Sequence, residues 1–158
     1  MIAFAWIILL GLMTLLFSRY LDSQNNPNQS ISSTSTAEMR EVILQRNRYG
    51  HYVATGSING TAVEFMLDTG ATMVSVPQSV ARRLQLERGP GFEVVTANGT
   101  VTVFATTLDQ VSLGSITLHD IRASINPHME DEEILLGMSF LKHLEFTQQG
   151  EQLILRQY

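Results

Sequence analysis

A carboxylate at the end of an apolar run places the strongest constraint on how this chain can fold. Residues 65–67 are all apolar, and Asp68 follows them directly. An ion that leaves a buried strand without partners is energetically costly, so the Asp68 carboxylate needs hydrogen-bond donors or a shared proton. Thr69 offers a hydroxyl, and Gly70 lacks a Cβ, so its amide can approach a carboxylate. We therefore expect a tight turn built around Asp68.

The run that ends at Asp68 is predicted to be the second strand of a hairpin. Residues 51–58 and 61–67 are rich in β-forming side chains, and Asn59-Gly60 separates them. A type I′ turn needs a positive φ at both central residues, and Asn-Gly is the pair best suited to it. The sequence therefore predicts a β-hairpin that delivers Asp68 at its end.

The rest of the folded region is also predicted to be mostly β. We expect residues 73–76 to form a strand and residues 78–86, after Pro77, to form a short helix. Residues 134–141 are predicted to be a buried strand that turns into a short helix, and residues 39–45 to be either a helix or a strand. Three further hairpins are predicted, which pair 92–96 with 100–105, 108–113 with 116–125, and 145–147 with 152–155.

The N-terminal segment is predicted to be a membrane helix. Residues 2–17 are apolar except for Gly11 and Thr14, and this length is at the short end of what crosses a hydrocarbon core of about 30 Å. A cleaved signal peptide is the alternative. We favour an uncut anchor, because the segment lacks a positive n-region and a clear small-residue cleavage site. We assign residues 1–20 to this anchor, 21–38 to a flexible polar linker and 39–158 to the folded domain.

The composition excludes several classes of function. The net charge is -5 and the pI is about 5.3, so we expect no nucleic-acid partner. The chain has no cysteine, which removes disulfides and a cysteine nucleophile. Its four histidines show no metal-ligand spacing, so we expect neither a metal nor a cofactor. The acidic run at 130–133 is interpreted as a solvated loop; the alternative is a surface that repels acidic substrates or contacts a partner.

The four residues from Asp68 to Ala71 resemble the Asp-Thr-Gly-Ala active-site loop of the retropepsin-like aspartic proteases. Two weaker similarities accompany this motif. The hairpin predicted around 97–99 stands where the family has its flap, and residues 134–137 resemble its apolar-apolar-Gly segment. The resemblance covers roughly 51–155 and implies a mostly β fold, namely the retropepsin-like closed β-barrel of acid proteases with one or two short helices.

The resemblance also assigns roles to individual residues. It implies one catalytic carboxylate, a loop around it, a flap that covers an extended peptide, and a segment that passes behind the loop. These are Asp68 as the catalytic residue, Thr69, Gly70, Ala71 and Thr72 as the loop, Ala97, Asn98 and Gly99 as the flap, and Leu136 and Gly137 behind the active site.

Catalysis of this kind needs two neighbouring carboxylates that share one proton. The chain has one Asp-Thr-Gly. The other aspartates lack a following Thr-Gly or Ser-Gly; they are Asp22, Asp109, Asp120 and Asp131. The resemblance therefore implies a homodimer in which two Asp68 carboxylates, one per subunit, activate a water, with subunit contacts at residues 153–155. The alternative is a retropepsin-like module for dimerisation or peptide binding, with little or no catalysis.

The resulting hypothesis is an aspartic-type endopeptidase. Its expected partners are a protein or peptide substrate, a second copy of the chain, and a membrane contacted through the N-terminal helix. By resemblance to anchored bacterial relatives, we expect a single-pass protein of the bacterial inner membrane with its protease domain in the periplasm.

Overall fold

The computed structural model describes residues 2–96 and 99–158. Within this part of the chain there are three helices and eleven strands. In chain order they are α1 (Ile2–Asn25), β1 (Ser32–Ser35), β2 (Arg40–Gln45), β3 (Val53–Ile58), β4 (Thr61–Leu67), β5 (Val74–Pro77), α2 (Gln78–Arg83), β6 (Gly91–Thr96), β7 (Gly99–Leu113), β8 (Ile116–Asn126), β9 (Ile134–Leu136), α3 (Met138–Leu141), β10 (Glu145–Gln149) and β11 (Gln152–Gln157).

A closed barrel forms the body of the fold. Its strands follow the order β3-β4-β9-β5-β8-β7, and pairing of β3 with β7 closes the ring. Strand β6 lies outside the ring, where it pairs with the first part of β7. Large apolar side chains form the core, among them the fully buried Phe65, Leu108, Ile116 and Phe140. The structure thus confirms the predicted mostly β fold and its closed barrel.

The hairpin that precedes Asp68 forms as predicted. Strands β3 and β4 pair antiparallel along their full lengths. The two turn residues, Asn59 and Gly60, have φ angles of 50° and 79°. Positive φ at both positions is the requirement of a type I′ turn, and it explains why an Asn-Gly pair occupies this site.

Three elements refine the expectations from sequence. Strand β7 continues for 15 residues, so the predicted strands at 100–105 and 108–113 are one strand that pairs first with β6 and then with β3. The threonines between them suit an extended backbone, which explains the continuation. Helix α2 ends at Arg83 and not at residue 86, because Gln85 has a φ of 55°. Residues 39–45, left open between helix and strand, contain β2.

A second sheet joins the two ends of the folded region. Its strand order is β1-β2-β11-β10. Strand β11 is central, and its Leu153, Ile154 and Leu155 are buried within this chain. The expectation that these side chains form subunit contacts is therefore corrected, since their own chain already covers them. Strand β10 forms one edge of the sheet, and all five of its residues are exposed.

The N-terminal region contains the predicted apolar helix but differs from the predicted linker. Helix α1 spans 24 residues and is apolar and long enough to cross a membrane. None of its most apolar stretch is buried by the described part of the chain. Residues 21–38, predicted to be a flexible linker, instead contain the end of α1, the buried Asn26 and Asn28, and β1. The prediction of a flexible linker is therefore wrong, because side-chain amides order this segment through hydrogen bonds although it has little apolar surface to bury.

Candidate active site

Asp68 stands directly after β4, in the wall of the barrel. In this strand Phe65 points into the core and is fully buried, so strand alternation directs Met66 and Asp68 to the outer face. The Asp68 amide donates to the carbonyl of Leu136 at 3.3 Å, which extends the pairing of β4 with β9 by one residue. The Asp68 side chain is partly buried. The scaffold therefore holds one carboxylate at a fixed place on the barrel surface.

The residues after Asp68 form a turn around its carboxylate. The Gly70 amide donates to Asp68 Oδ1 at 2.8 Å, and the Ala71 amide donates to the Asp68 carbonyl at 3.2 Å. A Cβ at Gly70 would lie 3.1 Å from that same Oδ1, which is a tight approach. Thr69 and Thr72 are exposed on the turn. The absence of a side chain at Gly70 thus lets the main chain hydrogen-bond to the carboxylate without crowding it.

The segment after β9 passes directly behind this turn. A Cβ at Gly137 would lie 2.6 Å from the Ala71 carbonyl oxygen and 2.3 Å from that of Met73, so only glycine fits here. The next amide, that of Met138, donates to the Ala71 carbonyl at 2.8 Å. Leu136 pairs with Leu67 in the barrel wall. The structure therefore brings the predicted loop and the predicted segment behind it into direct contact.

The hairpin predicted to be the flap is formed by β6 and β7. Its arms pair from Gly91 to Thr96, and the Thr96 hydroxyl donates to the Gly99 carbonyl at 2.8 Å. Gly99 has a φ of 112°, a conformation that favours glycine. Ala97 and Asn98, the other two residues predicted for the flap tip, lie outside the described residues. Val95 on the outer arm is 87% exposed, which places an apolar side chain at the surface near the tip.

Comparison with known proteins places this chain in a family. The profile of the family described as "gag-polyprotein putative aspartyl protease" matches residues 54–143, more than half of the chain. The chain belongs to the retropepsin-like aspartic protease family. The crystal structure of a retropepsin-like aspartic protease from Rickettsia conorii is similar to it, with a TM-score of 0.63 and 28% identity, and the match covers 81% of this chain and 96% of that chain.

Two curated proteins are also similar in sequence. An uncharacterized protein from the cobV 5′ region of Sinorhizobium sp is 31% identical over 125 residues, which cover 77% of this chain and 54% of that protein. An uncharacterized protein of Rickettsia prowazekii (strain Madrid E) is 26% identical over 132 residues, which cover 78% of this chain and 54% of that protein. The chain thus spans about half the length of these curated relatives.

Ser139 is a structural residue of this candidate site that sequence reasoning missed. Its side chain is 8% exposed, and its hydroxyl oxygen accepts the Val74 amide at 3.0 Å. Its own amide donates to the Thr72 carbonyl at 3.0 Å. Ser139 thereby joins the start of α3 to both ends of the segment that follows the Asp68 turn. The signal available in the sequence was a single hydroxyl residue inside an otherwise apolar run at 134–141.

An acidic cavity of about 560 Å³ lies beside β4, the strand that leads to the candidate site. Met66, two residues before Asp68 on the same face of β4, lines it together with His51, Glu64 and Glu133. Burial raises the pKa of Glu133 above its ordinary value, and the nearby Glu64 carboxylate adds to the rise. The acidic run, predicted to be a solvated loop, is therefore exposed in its first part but packs against the barrel at Glu133. Among residues 2–96 and 99–158, no group of three or more His, Asp or Glu side chains is placed to hold a metal ion.

Proposed function

We propose that this chain is an aspartic-type endopeptidase that is tethered to a membrane and acts as a homodimer. The observation that carries the proposal is the Asp68 turn, in which the Gly70 amide holds a partly buried carboxylate at 2.8 Å. Gly137 and β9 support the turn from behind. A carboxylate fixed in this way, with its outer side open, suits general acid-base chemistry. Membership of the retropepsin-like family supports a hydrolase at the level of reaction class.

The proposed chemistry uses two Asp68 carboxylates that share one proton, because like charges so close together resist joint ionisation. The ionised carboxylate takes a proton from water, whose oxygen attacks the scissile carbonyl carbon. The protonated carboxyl donates a hydrogen bond to the carbonyl oxygen as charge develops there. Protonation of the leaving nitrogen and cleavage of the C–N bond complete hydrolysis. Since the chain has one Asp-Thr-Gly, two copies related by a two-fold axis must supply the pair.

The surrounding loops would bind the substrate. We assign Thr69 to contacts between the two Asp68 turns, and Ala71 and Thr72 to the wall of the substrate cleft. The flap formed by β6 and β7, with its tip at 97–99, would cover an extended peptide. Strand β6 pairs with β7 on one side and forms the edge of its sheet, a position suited to pairing with the substrate backbone.

The membrane tether is supported by helix α1. Its apolar side chains are exposed, for example Ile7 at 66% and Leu15 at 65%, and such a continuous apolar surface needs a partner such as lipid. We propose a single-pass anchor in the bacterial inner membrane with the protease domain in the periplasm, as the resemblance to anchored bacterial relatives suggested.

The proposal is tested with the full-length chain in detergent micelles and unstructured casein as the substrate, at mildly acidic pH. We expect cleavage that a pepstatin-like inhibitor blocks and that Asp68→Asn abolishes while mass and fold stay unchanged. The matched control is Asp120→Asn, an exposed residue with a φ of 54° that asparagine accommodates well. Activity of the control should equal that of the wild type.

The outcomes separate the two hypotheses. Cleavage that persists in Asp68→Asn would overturn the assignment of the catalytic residue. A verified dimer that binds peptides but cleaves none would instead favour a dimerisation or peptide-binding module. Measuring mass in solution beside activity shows whether cleavage follows the dimer, as the shared proton requires.

A further inference from the structure

Helix α1 is joined to the barrel without a flexible segment between them. The Asn26 amide donates to the Asp22 carbonyl at 2.9 Å, a helical hydrogen bond that carries the α1 pattern one residue beyond Asn25. The side chain of the same Asn26 is 2% exposed and lies against the barrel. Its Nδ2 donates to Thr55 Oγ1 at 3.0 Å and to Glu64 Oε2 at 2.8 Å. One residue therefore belongs both to the end of the helix and to the surface of the barrel.

Asn28, two residues further along the chain, is also hydrogen-bonded to the barrel. It is 3% exposed, and its Nδ2 donates to the carbonyls of Gln45 at 2.9 Å and Val53 at 2.7 Å. Its Oδ1 accepts the Gln45 amide at 2.7 Å. Every polar group of this side-chain amide is thus paired with the main chain of β2 and β3. Since a lost partner would leave a buried polar group unsatisfied, these bonds resist opening.

The junction sets the height of the candidate active site above the membrane. Residues 18–25, which follow the apolar run, are eight helical residues and span about 12 Å. Glu64, which accepts the Asn26 amide group, is four residues before Asp68 along β4, a distance of about 13 Å. The two side chains and the hydrogen bond that join Asn26 to Glu64 add about 10 Å, so Asp68 lies within roughly 35 Å of the point where α1 leaves the hydrocarbon core. The structure offers no free segment between helix and barrel that would extend this reach.

We infer that Asn26 and Asn28 fix the candidate protease at a constant short distance from the bilayer, and that its membrane-anchored substrates are cut in segments close to their own membrane helices. This inference rests on the proposed function, since it takes α1 as an anchor and Asp68 as the catalytic residue. An extended peptide covers at most about 3.6 Å per residue, so about ten residues span the roughly 35 Å between the membrane and Asp68. The cut bond should therefore lie about ten residues from the substrate's helix. A bond held rigidly further out would not meet the active site.

The test compares two reporters in liposomes that contain the full-length chain. Each reporter has one membrane helix, a rigid helical spacer and an unstructured casein segment; the spacers are about 15 Å and about 90 Å long. We expect the wild type to cut the near reporter at least tenfold faster, because geometry forbids engagement with the far one. A flexible Gly/Ser insert of about 20 residues between Asn25 and Asn26 should allow both to be cut. The same insert at the exposed turn before Gly150 is the matched control and should change nothing.

A second readout does not depend on proteolysis. The chain has no cysteine, so Arg82→Cys, at an exposed position of α2, provides one site for a fluorescent donor, with acceptor lipids in the bilayer. We expect a narrow distribution of transfer efficiency in the otherwise wild-type chain, and a broader and lower one with the insert at Asn25. Equal distributions, or equal cutting of both reporters by the wild type, would overturn the inference. A narrow distribution with neither reporter cut would leave the junction standing and refute the proposed function instead.

Discussion

Replacing Gly137 by alanine should damage the candidate active site directly. The added Cβ would lie 2.3 Å from the Met73 carbonyl oxygen and 2.6 Å from the Ala71 carbonyl oxygen, whereas ordinary contacts begin near 3.4 Å. Both obstacles are main-chain atoms, so no side-chain rotation relieves them. Either β9 or the turn after Asp68 must move by about 1 Å or more.

The cost follows from the contacts that this movement disturbs. Overpacking of a close-fitting interior costs about 1–3 kcal/mol. The same movement strains the hydrogen bonds from Met138 to Ala71 and from Ser139 to Thr72, each with a net value of about 0.5–1.5 kcal/mol. We therefore expect Gly137→Ala to lower the free energy of unfolding by roughly 2–6 kcal/mol. A typical domain has about 5–15 kcal/mol, so a domain near the middle of this range stays mostly folded after the substitution.

The assay measures urea unfolding and casein cleavage on the same detergent-solubilised full-length samples. The matched control is Gly56→Ala, whose Cβ would lie 2.4 Å from the Ser112 carbonyl oxygen at the seam of β3 and β7 and 2.7 Å from the ring of Phe65, which points into the core on the face of β4 opposite to Asp68. Its partner on β4, Val63, is five residues before Asp68, a distance of roughly 16 Å. Both variants should lose comparable stability, but only Gly137→Ala should lose activity per folded molecule. A Gly137→Ala protein within about 0.5 kcal/mol of the wild type, the usual range for surface changes, would refute this reasoning.

Two further substitutions test the surroundings of the turn. Ser139→Ala removes the acceptor of the Val74 amide in a buried setting, so urea unfolding should show a loss of about 1–3 kcal/mol, and Ser139→Thr, which keeps a hydroxyl, should lose less; equal losses would contradict the role of the hydroxyl. The raised pKa of Glu133 means that the folded state retains this proton longer than the unfolded state, so stability falls as pH rises from the ordinary pKa through the raised one. The free energy of unfolding of Glu133→Gln should not show this fall with rising pH, whereas the control Glu130→Gln should still show it. A difference in free energy of unfolding between Glu133→Gln and the wild type that stays constant with pH would contradict the predicted pH dependence.

The neighbourhood of Asp68 could be predicted from the sequence because local chemistry determines it. Asn59-Gly60 satisfies a turn that few other pairs can form, and both residues adopt the positive φ that this turn needs. Gly70 and Gly137 stand where the main chain of one segment must approach another closely. Each of these residues follows from a short-range steric requirement, and such requirements are visible in a few consecutive letters.

The parts that sequence reasoning missed depend on contacts between distant segments. Asn26 and Asn28 resemble any polar linker residues until Glu64 and Val53 are placed beside them. Composition indicates how much apolar surface a segment can bury, but it does not show whether a buried amide will find all its partners. The burial of residues 153–155 likewise depends on a distant segment, since β11 is placed in its sheet by pairing with β2, more than a hundred residues earlier.

The rigid junction and the single Asp-Thr-Gly together restrict how two copies can meet. A proposed dimer places both Asp68 carboxylates beside one two-fold axis, and the same axis must relate the two α1 helices. Both helices enter the same bilayer from the same side, so the axis has to run close to the membrane normal. Because Asn26 leaves no flexible segment between helix and barrel, the orientation of each barrel is set before the two copies meet. Confinement to the membrane would then favour pairing of the Asp68 turns, and a flexible insert after Asn25 should weaken that pairing even though the site itself is unchanged.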